Sequence, residues 1–302
     1  MSNIKKIQII IYCWPFTSSG GGNFVLYNLA KIINDLNHSI FYAKMYDRDQ
    51  KNIENNFCNN YITQDELINL VYDDYTILFY PEFAELFTCA ITKYSIIIKF
   101  FNNYRTYDNF INYNDNNILH YMWEKPLNKS FKQLCFPYYK NNYYNKNKNK
   151  ERIKTCFIIK KGRQFHSNMN VIHPFDSIQI DGLDDTNDTI VDIFNECKYF
   201  YCYDPNCTFS VYAIACGCIT IIYPIKDVSK EEFFKSRINY KNNKIHNYGM
   251  AYGNSEEEIK FATDTLAEGE FMYKELFKSY EDTVVDFLND LKIFFKEKSL
   301  IQ

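Results

Sequence analysis

The chain has 302 residues and a net charge of −3, with acids and bases interspersed, so it lacks the concentrated positive face that a nucleic-acid surface needs. Apolar residues make up 46% of it, enough to bury cores for two domains of ordinary size. Its ten Cys include no C-x-x-C and its five His no H-E-x-x-H, which argues against a zinc knuckle and against a metal hydrolase.

The thiols are expected to be reduced core fillers in a cytoplasmic protein. No cleavable leader pattern stands near the start, and "IQIIIYCW" is far shorter than the roughly 20 residues of a membrane span. The abundance of Tyr, Phe, Asn, Lys and Ile reads as a bias toward AT-rich codons.

The first half alternates apolar runs with helical stretches. Residues 6–15, "KIQIIIYCWP", form a continuous apolar run ended by Pro, the pattern of a buried parallel strand. "TSSGGGN" follows. Then Phe24, Leu26, Leu29, Ile32, Ile33 and Leu36 are spaced for a helix. "SIFYAKMY" reads as a second strand and residues 75–82, "YTILFYPE", as a third. Residues 94–102, 117–123 and 132–139 read as further strands. Strands separated by helices predict an α/β protein with parallel sheets covered on both faces.

Residues 140–154, "KNNYYNKNKNKERIK", carry no apolar period. They read as solvated loop or linker, so the domain boundary is expected at 147/148. Beyond it, "TCFIIKKGR" is a strand ending in cations, and "NVIHPFD" and "SIQIDGL" are two short strands. "DTIVDIFNEC" is a helix with Asp188 at its start, and "KYFYCYD" is a strand. "TFSVYAIACG" is a helix with Gly217 where a C-terminal cap belongs, and "ITIIYP" is a strand. "SKEEFFKS" and "SEEEIKFATDTLAEG" open with capping serines. A long amphipathic helix is expected from about Glu270 to Lys298. Two similar α/β halves result, with their sites at the carboxyl ends of the strands.

Three stretches carry candidate chemistry. In "SSGGGN", Gly20, Gly21 and Gly22 let backbone amides approach a ligand, although a flexible turn explains the same residues. The stretch is neither G-x-G-x-x-G nor a Walker A loop. In "KKGR", Lys161, Gly162 and Arg163 can hold a diphosphate and neutralise a leaving group without a metal; ordinary solvated surface is the alternative. In "YDPNCTFSVYAIACG", Asp204 stands at a strand-to-helix turn. Thr208 is placed to cap the helix, Tyr212 lies one turn on, and the amides of Thr208, Phe209 and Ser210 suit an anion. A tightly packed structural helix accounts for the small residues but not for Asp204.

The segment "YDPNCTFSVYAIACGCITIIYP" resembles the donor-binding segment of GT-B glycosyltransferases, the retaining nucleotide-sugar class. There an acid, seven residues, a second acid and a small-residue run follow one another. Together with "KKG", "YPE", "SSGGGN" and a late "AYG" before an acid-led helix, it is similar to a GT-B subfamily of bacterial and giant-virus surface-glycan clusters. The resemblance implies two Rossmann-like doubly wound domains facing a cleft. Residues 1–147 would be the acceptor side and 148–302 the donor side, with the last helix free to return to the first domain. Asp204 falls where the first acid sits and Tyr212 where the second does. A Tyr offers one hydrogen bond and a stacking face in place of diol chelation, which opens the door to a deoxyribose donor.

The expected activity is transfer of a hexose or deoxyhexose from a UDP- or dTDP-sugar to a glycan or glycoconjugate, with no cofactor and no metal. "DRD" at 47–49 is poorly placed for a metal motif. Lys161 and Arg163 would balance the diphosphate, Asp204 would touch the sugar, and the glycine loop would cover the donor. Glu82, or after it His120, would be the base. A sugar-nucleotide epimerase and a catalytically silent binding module of the same fold are the alternatives.

Overall fold

A computed structural model describes residues 6–13, 21–36, 40–47, 61–69, 75–81, 96–101, 118–123, 131–135, 144–148, 150–166, 170–183, 189–235 and 247–297. The chain divides into two units, residues 1–138 with 279–302 and residues 139–278.

The first unit is a parallel sheet in the order β2-β1-β3-β4-β5-β6. Its strands are β1 (Ile7–Cys13), β2 (Phe41–Asp47), β3 (Thr76–Pro81), β4 (Ile96–Phe101), β5 (Ile118–Met122) and β6 (Lys132–Gln133). β1 is buried along its whole length because parallel strands are covered on both faces, which is why its sequence is a run and not an alternation. Helix α1 (Gly21–Asp35) crosses from β1 to β2, burying Leu26, Leu29 and Ile33. Helix α2 (Gln64–Asn69) starts on a capping box, with the Thr63 amide donating to Glu66 and the Glu66 amide to Thr63 Oγ1. Of the strand expected over 132–139, Lys132–Gln133 pair as β6 and Leu134 and Cys135 do not; residues 136–139 lie outside the described residues.

The second unit is a parallel sheet in the order β11-β10-β9-β7-β8. In chain order its elements are β7 (Lys154–Ile158), α3 (Gly162–Phe165), β8 (Ile178–Gln179), α4 (Thr189–Glu196), β9 (Cys197–Cys202) and α5 (Phe209–Ala215). Then come β10 (Ile219–Ile222), α6 (Lys230–Lys235), β11 (Met250–Tyr252), α7 (Glu256–Asp264) and α8 (Leu266–Glu297). α5 ends in a Schellman motif at Gly217, φ +80°, where the Cys218 amide bonds Ala213 O at 2.9 Å and the Gly217 amide bonds Ile214 O at 2.8 Å. Ser229 and Ser255 cap α6 and α7 as expected from their spacing.

Two expectations fail here. "NVIHPFD" is not a strand. The segment runs as turns in which the Ile172 amide and His173 Nδ1 bond the Tyr203 hydroxyl at 2.9 and 2.7 Å, and Pro174 accepts from Ser177. Nor does the chain divide at 147/148. Residues 144–148 and 150–152 are fastened into the second unit: the Lys146 amide donates to Asn195, and Asn147 donates to the Asn195 carbonyl. Arg152 closes the carboxyl ends of two helices at once, donating to Phe194 O at 2.9 Å and Cys216 O at 2.8 Å. Within this run Asn147 and Arg152 reach helix-end carbonyls, while Lys146 pairs with Asp192 and both Asn145 and Lys148 reach the Glu270 carboxylate.

The division falls instead at 138/139 and again inside α8. Past Ser279, α8 belongs to the first unit. Phe287 meets Phe79 and Tyr121 edge-on, with ring centroids 6.2 and 5.0 Å apart, and Asp290 pairs with Lys132 at 2.8 Å.

Candidate functional site

Each sheet reverses its strand order once. In the first unit the chain steps outward from β1 to β2, then returns to β3 on the other side of β1. In the second it steps from β7 to β8, then returns to β9 on the other side of β7. At such a point the loops leaving the two central strands diverge and open a crevice at their carboxyl ends.

In the second unit the crevice strands are β7 and β9, paired in parallel with Ile158 opposite Cys202. β7 leads into Lys160, Lys161 and Arg163, all exposed, with Gly162 buried between them. The Gly162 amide bonds Ile159 O at 2.6 Å and opens the single turn of α3. A Cβ on Gly162 would lie 2.7 Å from the Tyr203 carbonyl oxygen, so only Gly lets the cation turn press against the end of β9. Lys160 takes φ +38° and lays its Nζ 4.4 Å from the centre of the Phe209 ring. The two loops of the crevice thus touch.

β9 leads into Asp204, which is 5% exposed. Its Oδ1 accepts from the Asn206 amide at 3.0 Å and its carbonyl from the Cys207 amide at 3.0 Å, an Asx turn. Thr208 is exposed and precedes α5 in helical geometry, without a side-chain cap, so the expected capping role is not filled. The expectation of outward amides also needs correcting. The Ser210 amide bonds Cys207 O at 3.2 Å and its hydroxyl bonds the same oxygen at 2.8 Å. The Cys207 thiol is held below its usual range first by a hydrogen bond with Cys202, against burial, and then by Lys160 and the Phe209 amide. Ser210 and Tyr212, at 1% and 2% exposed, face the protein; α5 packs its small-residue face so closely on the sheet that nothing on it faces out except near its start.

Aromatic rings cluster around the end of β9. Tyr203 is fully buried, its ring 5.1 Å from Tyr223 and its carbonyl 3.0 Å from His166 Nε2. His173 stacks on Phe157 with centroids 3.8 Å apart, and burial lowers its pKa.

In the first unit, Gly20 and Glu82 follow β1 and β3 in sequence and lie outside the described residues. Gly21 and Gly22 are the first turn of α1, so the triple glycine opens a helix and is not a free loop throughout. His120 sits mid-strand in β5, half-buried, its ring 5.2 Å from Phe131. Among the described residues no three His, Cys, Asp or Glu side chains converge as metal ligands, and no helix is long and apolar enough to cross a membrane.

Sequence reasoning took Lys160 only as part of the cation run, without its contact to Phe209, and missed Asp181. The Asp181 carboxylate receives the Ile159 amide at 2.9 Å and the Lys160 amide at 2.7 Å. No local signal marks it, because its partners lie 21 and 22 residues away.

Two Rossmann-like parallel-sheet units, each with one reversal, make up the GT-B fold. Sucrose-phosphate synthase from Thermosynechococcus elongatus superposes with a TM-score of 0.55 over 97% of this chain and 100% of that one, at 9% identity. An alpha-glucosyltransferase in complex with UDP is more distantly similar, with a TM-score of 0.45 and 10% identity over 95% and 99% of the two chains. No protein-family model and no curated protein matches the sequence.

Proposed function

We propose that the chain is a glycosyltransferase that moves a sugar from a nucleoside-diphosphate donor, a UDP- or dTDP-sugar, to a hydroxyl of a glycan or other acceptor, without a metal ion. The supporting observation is the placement of the charge. The exposed cations Lys160, Lys161 and Arg163 and the acid Asp204 stand at the carboxyl ends of β7 and β9, where the second sheet reverses. That is where an α/β sheet of this order takes a phosphorylated ligand.

In this reading the acceptor oxygen forms a bond to the anomeric carbon as the bond from that carbon to the diphosphate breaks. Lys161 and Arg163 balance the charge on the departing diphosphate, each charge-assisted contact contributing about 1.5–3 kcal/mol. Thr208 adds its hydroxyl. Asp204, already fixed by its Asx turn, keeps its second oxygen for the sugar. The acceptor's proton is assigned to Glu82, ahead of His120, whose ring packs on Phe131. Phe209, Ser210 and Tyr212 act by shaping the turn, not by touching the donor.

Lys161→Ala and Asp204→Asn test this. Asn still accepts from the Asn206 amide, so both variants should keep their circular dichroism and lose sugar transfer. Full turnover by both would remove the assignment.

The burial of Tyr212 favours one second reading, a nucleotide- or glycan-binding module of the same fold that does not transfer. Thermal shift against nucleoside diphosphates, where a ligand at 100 times its Kd adds about 2.7 kcal/mol, detects binding in either case. Transfer from a bound sugar nucleotide separates the two.

A further inference from the structure

Lys160 holds a backbone conformation that L-residues rarely adopt, φ +38°, and it does so at the point where the cation turn leaves β7. Something must hold that bend. β8 lies beside β7, and the Ile180 amide continues their pairing by bonding Phe157 O at 3.0 Å. One residue on, Asp181 folds its carboxylate over the end of β7. Oδ2 accepts from the Ile159 amide at 2.9 Å and Oδ1 from the Lys160 amide at 2.7 Å. Gln179 Nε2 steadies Oδ2 from the side at 3.3 Å. A carboxyl group has an acceptor oxygen for each amide; a carboxamide in its place turns an NH2 group against one of them. The same bend carries Lys160 across to the Phe209 ring and starts the Lys161–Arg163 turn.

We propose that Asp181 is the positioning residue of the diphosphate site, an inference that rests on the donor-binding reading above. It touches no ligand. It holds Ile159 and Lys160 so that Lys161 and Arg163 are presented together beside the β9 turn. Its loss acts on recognition of the phosphates and leaves recognition of the nucleoside alone.

The test compares Asp181→Asn with the unaltered chain in titrations against UDP and uridine and against dTDP and thymidine. The unaltered chain is titrated first. If it binds none of the four, the donor reading fails and this inference with it. If it binds a diphosphate, Asp181→Asn should weaken that binding about tenfold or more, the scale of one charge-assisted contact. Affinity for the parent nucleoside should stay within about twofold. Asp181→Ser, which keeps one short acceptor, should fall between the two and serves if the Asn variant does not fold. Equal losses for diphosphate and nucleoside, or no loss in either, would overturn the role of Asp181 while leaving the donor reading in place.

Discussion

A methyl group added at Gly162 would lie 2.7 Å from the carbonyl oxygen of Tyr203 and 2.9 Å from its carbonyl carbon and its Cβ. Two of those three atoms are backbone, and Tyr203 itself is locked. Its amide bonds Ile158 O at 3.0 Å, its carbonyl meets His166, and its hydroxyl holds Ile172 and His173. The clash therefore cannot be relieved by a side-chain rotation. Either the α3 turn lifts or the end of β9 moves. Overpacking costs about 1–3 kcal/mol, and against two backbone atoms closer than 3.0 Å the upper part of that range, about 2–3, applies. The helix propensity gained on replacing Gly by Ala returns about 1 kcal/mol, leaving a net loss of about 1–2.

For a unit of this size each kcal/mol is worth roughly 2–4 °C, so Gly162→Ala should melt about 2–8 °C lower by circular dichroism. Lifting the turn also separates Lys161 and Arg163 from the β9 loop, so diphosphate affinity should fall in the same variant. Arg163→Gln is the companion, since it removes charge from an exposed position and should cost affinity without moving the melting point. A Gly162→Ala protein that melts within about a degree of the unaltered chain and binds as well would refute the idea that the cation turn is wedged against β9.

Arg152→Met leaves the carbonyls of Phe194 and Cys216 without their shared donor, and at about 1–3 kcal/mol per group should lower stability by about 2–6 kcal/mol in urea titrations. An unchanged midpoint would show that water replaces the guanidinium there. Burial holds the His173 pKa below the usual value of about 6.5, so the unfolded chain binds a proton that the folded chain does not. Stability should therefore rise with pH between the folded value and about 6.5 and level off above it; His173→Gln should flatten that slope in melts from about pH 5 to about pH 8. An identical slope in the variant would assign the effect to another group. Ser255→Ala removes the acceptor for the Glu258 amide and should cost about 1 kcal/mol.

The sequence was legible wherever one element answers to its own residues. The buried run of β1, the helix stop at Gly217 and the capping serines at 229 and 255 are all local. The stop and the caps are satisfied by bonds within a few positions, and β1 is marked by its own apolar run, so each is found where the pattern puts it. The cations after β7 and the acid after β9 could be nominated in the same way, as charge at the end of an apolar strand.

What only the tertiary structure decided depends on pairing across long stretches of chain. Nothing in "KKGR" says that its neighbour is "YDPNCT", some 40 residues on; the strand order β11-β10-β9-β7-β8 brings them together. Nor does the sequence say that Asp181 will hold Lys160, that residues 144–148 and 150–152 are fastening and not linker, or at which residue of α8 the chain returns to the first unit. Helix α5 shows why composition alone misleads. It has seven residues, too few for its period to say which face turns inward, and only packing on the sheet shows that Ser210 and Tyr212 point into the protein. Local preferences are set by a residue and its near neighbours, whereas a site is assembled by hydrogen bonds and burial between segments whose separation in sequence carries no signal.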